Sequence, residues 1–439
     1  MRKSIALWVF MLALATPLVA QDYNIFPFPK GYGGVAINSS GEVVGGLLGA
    51  GFVWTRSGGY LYLGGGNVSV SDSGDVAGDA GGSAFLWTPS GGIQFPESPL
   101  GGETSAFAVN NAGQIAGLSF AANDHYTYHV FFWSPSTGSV DVGTLAGSND
   151  SVAAGFNNSG EIIGWSGGLA FRWTLSTGIQ ALSGSPNFAE AINDSGQIAG
   201  FATSPLGAVL WSPGGGIQSL GTLPGDITSD AKFINAAGHV TGVSTHYSGK
   251  RPIDRIFFWT PEAGMIDTGA PPGIYLLGLN NRDQILLSTI KPQATYLWSP
   301  SLGLREISTS LATYLEPKEF NDAGAFLALQ DRSGVVASPI MHVSVSSSQS
   351  PSQAGQPVTF TVNVSALVGL PPDGDQITLL DGATVLGSKI IGTGVLSNGT
   401  VRFTTSTLRV GTHDIFAEYA GDGNYFPNTS GILQQVVKP

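Results

Sequence analysis

"AFLWTPSGGIQF" fills Ala84–Phe95, and close copies return as "VFFWSPSTGSVDV", "AFRWTLSTGIQAL", "AVLWSPGGGIQSL" and "IFFWTPEAGMIDT". The phrase starts with β-formers, is ended by Pro, turns at "SGG" or "STG", and resumes as a short strand. Two-residue alternation puts Phe85 and Trp87 on one face of the strand and Ala84, Leu86 and Thr88 on the other. Wide plates on one face and smaller side chains on the opposite face suit sheets stacked against one another. The repeated Trp is therefore read as packing between sheets, in preference to a sugar-stacking platform.

A second phrase, N-x-x-G, precedes each aromatic one: "AINSSGEVVG", "VSDSGDVAG", "AVNNAGQIAG", "GFNNSGEIIG", "AINDSGQIAG", "FINAAGHVTG", "GLNNRDQILL" and "EFNDAGAFLA". Asn and Gly are taken to supply left-handed turn angles between a first strand and a second, "EVVG" or "QIAG". The recurring indoles are Trp54, Trp87, Trp133, Trp173, Trp211, Trp259 and Trp298, while Trp165 is off-pattern. Their uneven spacing of roughly 40 residues fits four-stranded propeller blades better than a solenoid. Arg172 replaces the apolar residue of the parent phrase and must reach solvent or a partner.

Eight turn phrases face seven aromatic ones. The last unit lacks its outer strand, and "DYNIFPFP" near the start resembles the missing piece. A ring closed by joining the two leaves no open sheet edge. The expected fold class is all-β, an eight-bladed β-propeller over 21–340, with seven blades as the alternative, followed by an Ig-like β-sandwich over 341–439.

On these phrases the first region resembles the bacterial extracellular HAF-family repeats, whose pattern joins an I-N-x-x-G turn to an H-A-F-x-W strand. Ile37-Asn38…Gly41, Ile192-Asn193…Gly196 and Ile234-Asn235…Gly238 match the first part, and His129-Val130-Phe131…Trp133 comes nearest the second. Ser83 or Leu169 stands where other blades would carry the His. The resemblance implies an exported repeat fold and no particular reaction. The C-terminal region holds short alternating strands, with Ile415, Ala417 and Tyr419 sharing an inward face. Its "ITLLDGATVLGS" and "GTHDIFAEYAGDGNYFPNTS" resemble the bacterial Ig-like repeats of large surface proteins, which implies a spacer or adhesion module.

Residues 1–20 read as a secretory signal: Arg2 and Lys3, an apolar "SIALWVFMLALA", and Ala20 before the cut. The mature chain is expected to be secreted, at the cell surface or free, with no membrane insertion after signal removal. A formal net charge of -12 disfavours nucleic acid, and the absence of Cys excludes disulfides and thiolate metal sites. No P-loop or dinucleotide fingerprint in a strand-to-helix setting is present. The scattered His residues and the acidic turn of Asp72, Asp75 and Asp79 do not make a metal site, so no metal or other cofactor is expected.

Function is sought in the loops between second and third strands, longest in the third and sixth units: "SFAANDHYTYH" (Ser119–His129) and "STHYSGKRPIDR" (Ser244–Arg255). They carry His125, Tyr126, Tyr128, His246, Tyr247, Lys250, Arg251, Asp254 and Arg255, residue types common at contacts. The leading expectation is a non-catalytic binding or adhesion protein, not an enzyme. Its long-loop face would meet an extracellular glycan or protein, with the Ig-like domain as spacer. An exported glycoside hydrolase or lyase, or a passive envelope protein, are the alternatives.

Overall fold

The computed structural model describes residues 22–439 apart from 48–49, 184–186, 205, 215, 291–292, 308–314, 331–332, 367–373 and 392–398. The signal-like segment thus lies outside the described residues. Among the described residues there is no helix.

Each turn phrase and the aromatic phrase that follows it form one antiparallel sheet with its strands in chain order, and among the described residues eight four-stranded sheets follow one another, the last of them without an aromatic phrase. In the eighth, Glu316–Phe320, Phe326–Gln330 and Ser333–Pro339 are joined by Tyr23–Pro27 from the start of the chain, with Tyr23 opposite Pro339 and Pro27 opposite Val335. First strands touch the first strands of neighbouring sheets and so line the centre. The arrangement is propeller-like.

The indoles sit between sheets. Trp54, Trp133, Trp173, Trp211, Trp259 and Trp298 are buried and Trp87 half-buried. Each packs on the preceding sheet: Trp173 lies 5.2 Å from Phe132, Trp298 lies 5.1 Å from Phe258, and Trp54 lies 4.8 Å from Phe26 across the seam. Burial of one such side chain contributes about 2–3 kcal/mol. The eighth sheet places Ala337 opposite Phe326, where other sheets pair Trp with Ile or Val. Phe326 and Tyr23, 5.1 Å apart and fully buried, fill the space. Arg172 reaches a partner, an ion pair with Glu161.

A register shift interrupts the first strand of every sheet, as between Ala153 and Gly155 or Ala231 and Phe233. The bulge presses the strand onto its neighbour, which explains the Gly of "QIAG" and its relatives. A Cβ on Gly164 would stand 1.9 Å from the Val152 carbonyl oxygen, and one on Gly242 2.0 Å from that of Asp230.

The turns correct one expectation. Their Gly is left-handed, as at Gly160 (φ 77°), but the Asn is not. The Asn acts through its side chain. Asn157 Oδ1 accepts from the N–H groups of Ser159 and Glu161, and its Nδ2 donates to the Asn193 carbonyl of the next unit at 3.0 Å. Equivalent bonds run from Asn110 to Asn157, Asn193 to Asn235, Asn235 to Asn280 and Asn280 to Asn321. Asn321 carries the belt across the seam to the Asn38 carbonyl at 2.8 Å, and Asn38 donates to the carbonyl of Ser71, which stands for the Asn in unit two. The second turn residue adds a parallel circuit: the Asn158 N–H donates to Asp194 Oδ1 and that of Asn281 to Asp322 Oδ1.

The seventh turn departs from the pattern at its Gly. Asp283 holds the Gly position of unit seven at φ 59°, alone among described non-Gly residues in having a positive φ. Its Oδ1 accepts from Asn235 Nδ2 at 2.8 Å and lies 2.7 Å from His239 Nδ1. His239 occupies the position that holds Gln or Glu in most other turns.

The C-terminal strands form two sheets. His342–Ser347, Val358–Ser365 and Thr400–Thr405 face a larger sheet built on Gly411–Tyr419, Gln376–Asp381 and Leu433–Lys438. Ile415, Ala417 and Tyr419 are fully buried between them.

Candidate functional site

The segments read as long loops are strands. Unit three extends Ile115–Ala121 and Asp124–Ser134 into a hairpin arm, and unit six does the same with Val240–Ser248 and Arg251–Thr260. The sixth arm pairs without interruption from Val240↔Trp259 to Ser248↔Arg251. Alternation in "THYS" and "RPIDR" continues the inner strands outward, so a ladder forms where irregular loop was expected.

The arms hold the nine expected residues in different ways. Tyr126 is 90% exposed. The Tyr128 ring leans on Phe120, and its hydroxyl donates to Asp150 Oδ2 at 3.3 Å; burial and this carboxylate raise its phenol. His125 is in the strand, and its side chain is outside the description. In the sixth arm Arg255 binds the buried Asp226 at 2.8 Å and Asp267 at 3.0 Å, while His246 Nδ1 lies 3.0 Å from Asp226. Burial alone would raise the Asp226 carboxyl, but hydrogen bonds from Arg255 and Ser244 hold it below the usual range. Arg255 and His246 therefore fasten the arm to the connection beneath it. Tyr247, Lys250 and Arg251 are exposed at the tip, and Asp254 accepts from Thr245 Oγ1 at 2.7 Å. The two arms stand three units apart, and the polar contacts of these residues run to their own or the adjoining connections.

A cavity of about 690 Å³ opens beside the sixth arm, between units six and seven. Of the expected residues, only Asp254 lines it. Its walls are Phe233, Pro252, Ile253, Ile274 and Tyr275, and its polar end is Glu190 with Lys232. Lys232 Nζ lies 2.8 Å from Glu190 Oε1 and 2.7 Å from Asp230 Oδ2, so one ammonium gathers two carboxylates. Burial raises the Asp230 carboxyl against the pull of Lys232, and its Oδ1 is buried without a hydrogen-bond partner. Burial lowers the Lys232 ammonium, but its two carboxylates outweigh this and raise it.

Sequence reasoning missed Glu190 and Lys232, although a signal exists. Both are the extra residue of a first-strand bulge, three positions before the turn Asn. The same position holds Val35, Val68, Phe107, Ala154, Leu277 and Lys318 in the other units. Charge there is confined to units five, six and eight. Glu319, next to Lys318, is reached by water yet crowded by protein atoms, and burial pushes its carboxyl up to about 7. Among the described residues no group of three or more His, Asp or Glu is placed to hold a metal ion.

Residues 345–438 match the family described as Bacterial Ig-like domain (group 3). No curated protein matches the chain. Among solved structures, it is similar to a streptogramin B lyase at 11% identity, covering 72% of this chain and 98% of that one, with a TM-score of 0.42. A virginiamycin B lyase from Staphylococcus aureus gives 11% identity, 62% and 94% coverage and a TM-score of 0.39. A gluconolactonase from Xanthomonas campestris gives 10%, 72% and 98%, with a TM-score of 0.27. Likenesses this distant bear on no residue and no reaction of this chain. They do correct the expectation that it is not an enzyme: the propeller-like structures it resembles include enzymes, so a lack of familiar motifs does not exclude catalysis. Among the described residues no helix is long and apolar enough to cross a membrane.

Proposed function

We propose that the chain is an exported binding protein: an eight-bladed propeller of HAF-type repeats that takes a protein segment on its arm face. The observation that carries this reading is the cavity beside the sixth arm, with apolar walls, one exposed Tyr and an ionic cluster at its end. Apolar walls around a few fixed polar groups suit an anchoring side chain of a partner. A glycan would call for more exposed aromatic plates than Tyr275 offers. The signal-like start and the Ig-like module, of a kind often extracellular, support export.

Peptide and glycan arrays probed with the full chain, the Tyr275→Ala variant and the Lys232→Met variant test this reading. Binding to peptides that falls at least tenfold in both variants is expected. Unchanged binding in both removes the cavity from consideration, and glycan-only binding replaces the proposed partner.

A second reading, an exported hydrolase or lyase, is favoured by one observation. Glu190 and Asp230 converge on Lys232, which gathers two carboxylates and an ammonium, the group types acid–base chemistry uses, in one place. Turnover of an extracellular polymer that is lost in Asp230→Asn would promote it.

A further inference from the structure

The eighth repeat is incomplete in a way that the C-terminal module repairs. In five turns the first Asn sends one Nδ2 hydrogen to the next unit and the other to the Gln or Glu four residues on. These contacts are Asn38 to Glu42 at 2.8 Å, Asn110 to Gln114 at 2.7 Å, Asn157 to Glu161 at 3.2 Å, Asn193 to Gln197 at 2.9 Å and Asn280 to Gln284 at 2.8 Å. In four of these units the accepting oxygen also rests against the turn Gly of the next unit. A Cβ on Gly160 would meet Gln114 Oε1 at 2.8 Å, one on Gly196 would meet Glu161 Oε2 at 2.8 Å, and one on Gly238 would meet Gln197 Oε1 at 2.7 Å. The residue four beyond Asn321 is Ala325, which has no acceptor to offer.

We infer that Asn424 of the Ig-like module stands in for that missing side chain, so that the module is a built part of the ring seam. Asn321 Nδ2 donates to Asn424 Oδ1 at 2.7 Å. A Cβ on Gly41, the turn Gly of the next unit, would meet the same oxygen at 2.8 Å. Asn424 therefore reproduces both contacts of the absent Gln. Its Nδ2 adds a bond to the Ser39 carbonyl at 2.7 Å, tying it to unit one as well. The loop bearing it is fixed from within, because Asp422 Oδ1 accepts from the N–H groups of Asn424 and Tyr425 at 2.7 Å each. It is also fixed from without. The Tyr425 hydroxyl donates to the Ala323 carbonyl at 2.9 Å, and the Arg56 guanidinium lies 3.8 Å from the Phe426 ring centroid. Asn321, Asn424 and Tyr425 are all buried. A freely hinged spacer would bury none of these groups, and a buried amide deprived of its acceptor bears the full cost of desolvation.

The test uses the full chain with Asn424→Ala, alone and combined with Ala325→Gln, which restores the acceptor within the repeat. Asn424→Ala is expected to lower the thermal midpoint by about 2–4 °C. It should also speed amide exchange of Glu42 and Ala325 at least tenfold, with Glu161 in unit four unchanged. Adding Ala325→Gln should recover most of both effects. Seam exchange that stays at the wild-type rate in Asn424→Ala overturns the inference, and so does a double variant no better than the single. Should Asn424→Ala fail to accumulate, recovery of folded protein by Ala325→Gln is the expected result and continued failure the overturning one.

Discussion

The turn face and the arm face of the ring are made by opposite uses of the same repeat. On the turn face nearly every unit writes the same residues, because each turn must satisfy its own backbone and hand a bond to the next. On the arm face units three and six extend their strands and diverge in sequence, while the sheets beneath them do not change. Repetition marks what holds the ring; departure from it marks where the chain is free to differ.

The strongest challenge to that contrast is a repeat glycine. Gly164→Ala drives a Cβ into the Val152 carbonyl, and a loss of about 3 kcal/mol or more is expected in denaturant unfolding. Gly46→Ala, whose nearest obstacle is the Ala50 oxygen at 3.6 Å, should cost far less; equal losses would dissolve the packing explanation. Next comes the belt. Asn157→Ala removes two donated and two accepted hydrogen bonds and should cost about 2–3 kcal/mol. Tyr247→Ala, exposed on the sixth arm, should stay within about 0.5 kcal/mol. A pH-dependent effect, kept small because solvent reaches the exposed residue, belongs to Glu319, whose carboxyl is raised from 4.5 to about 7. Between those values the unfolded chain has released its proton while the folded chain still holds one. Stability therefore falls as pH rises through this window, then levels off. Glu319→Gln should abolish that fall, and a slope unchanged in the variant would show that other groups produce it.

The sequence carried the features that repeat in composition. A Trp at one strand position announces a sheet that buries one wide face, and "DYNIFPFP" could be matched to the missing strand because its neighbours show what belongs there. Features that depend on register were silent. The bulge leaves no mark in alternation, so Glu190 and Lys232 read as ordinary first-strand residues until the shift reveals them as the extra one. The arms read as loops because the segments between second and third strands vary in length from unit to unit, and length alone does not separate a solvated ladder from irregular chain. Of the nine residues expected to form a site, Arg255 and His246 anchor the arm and only Asp254 reaches the cavity. Asn424 lay in "AGDGNY", which by itself looks like turn chemistry. Its role depends on Ala325, a hundred residues earlier.

The Asp283 turn has a consequence for how this chain can vary. Asp283→Gly alone would relax the left-handed backbone but strip an acceptor from the buried Asn235, and His239→Gln alone would keep the strained Asp after its imidazole partner had gone. Neither single step is neutral, so descendants of this sequence should inherit the two residues together or replace them together.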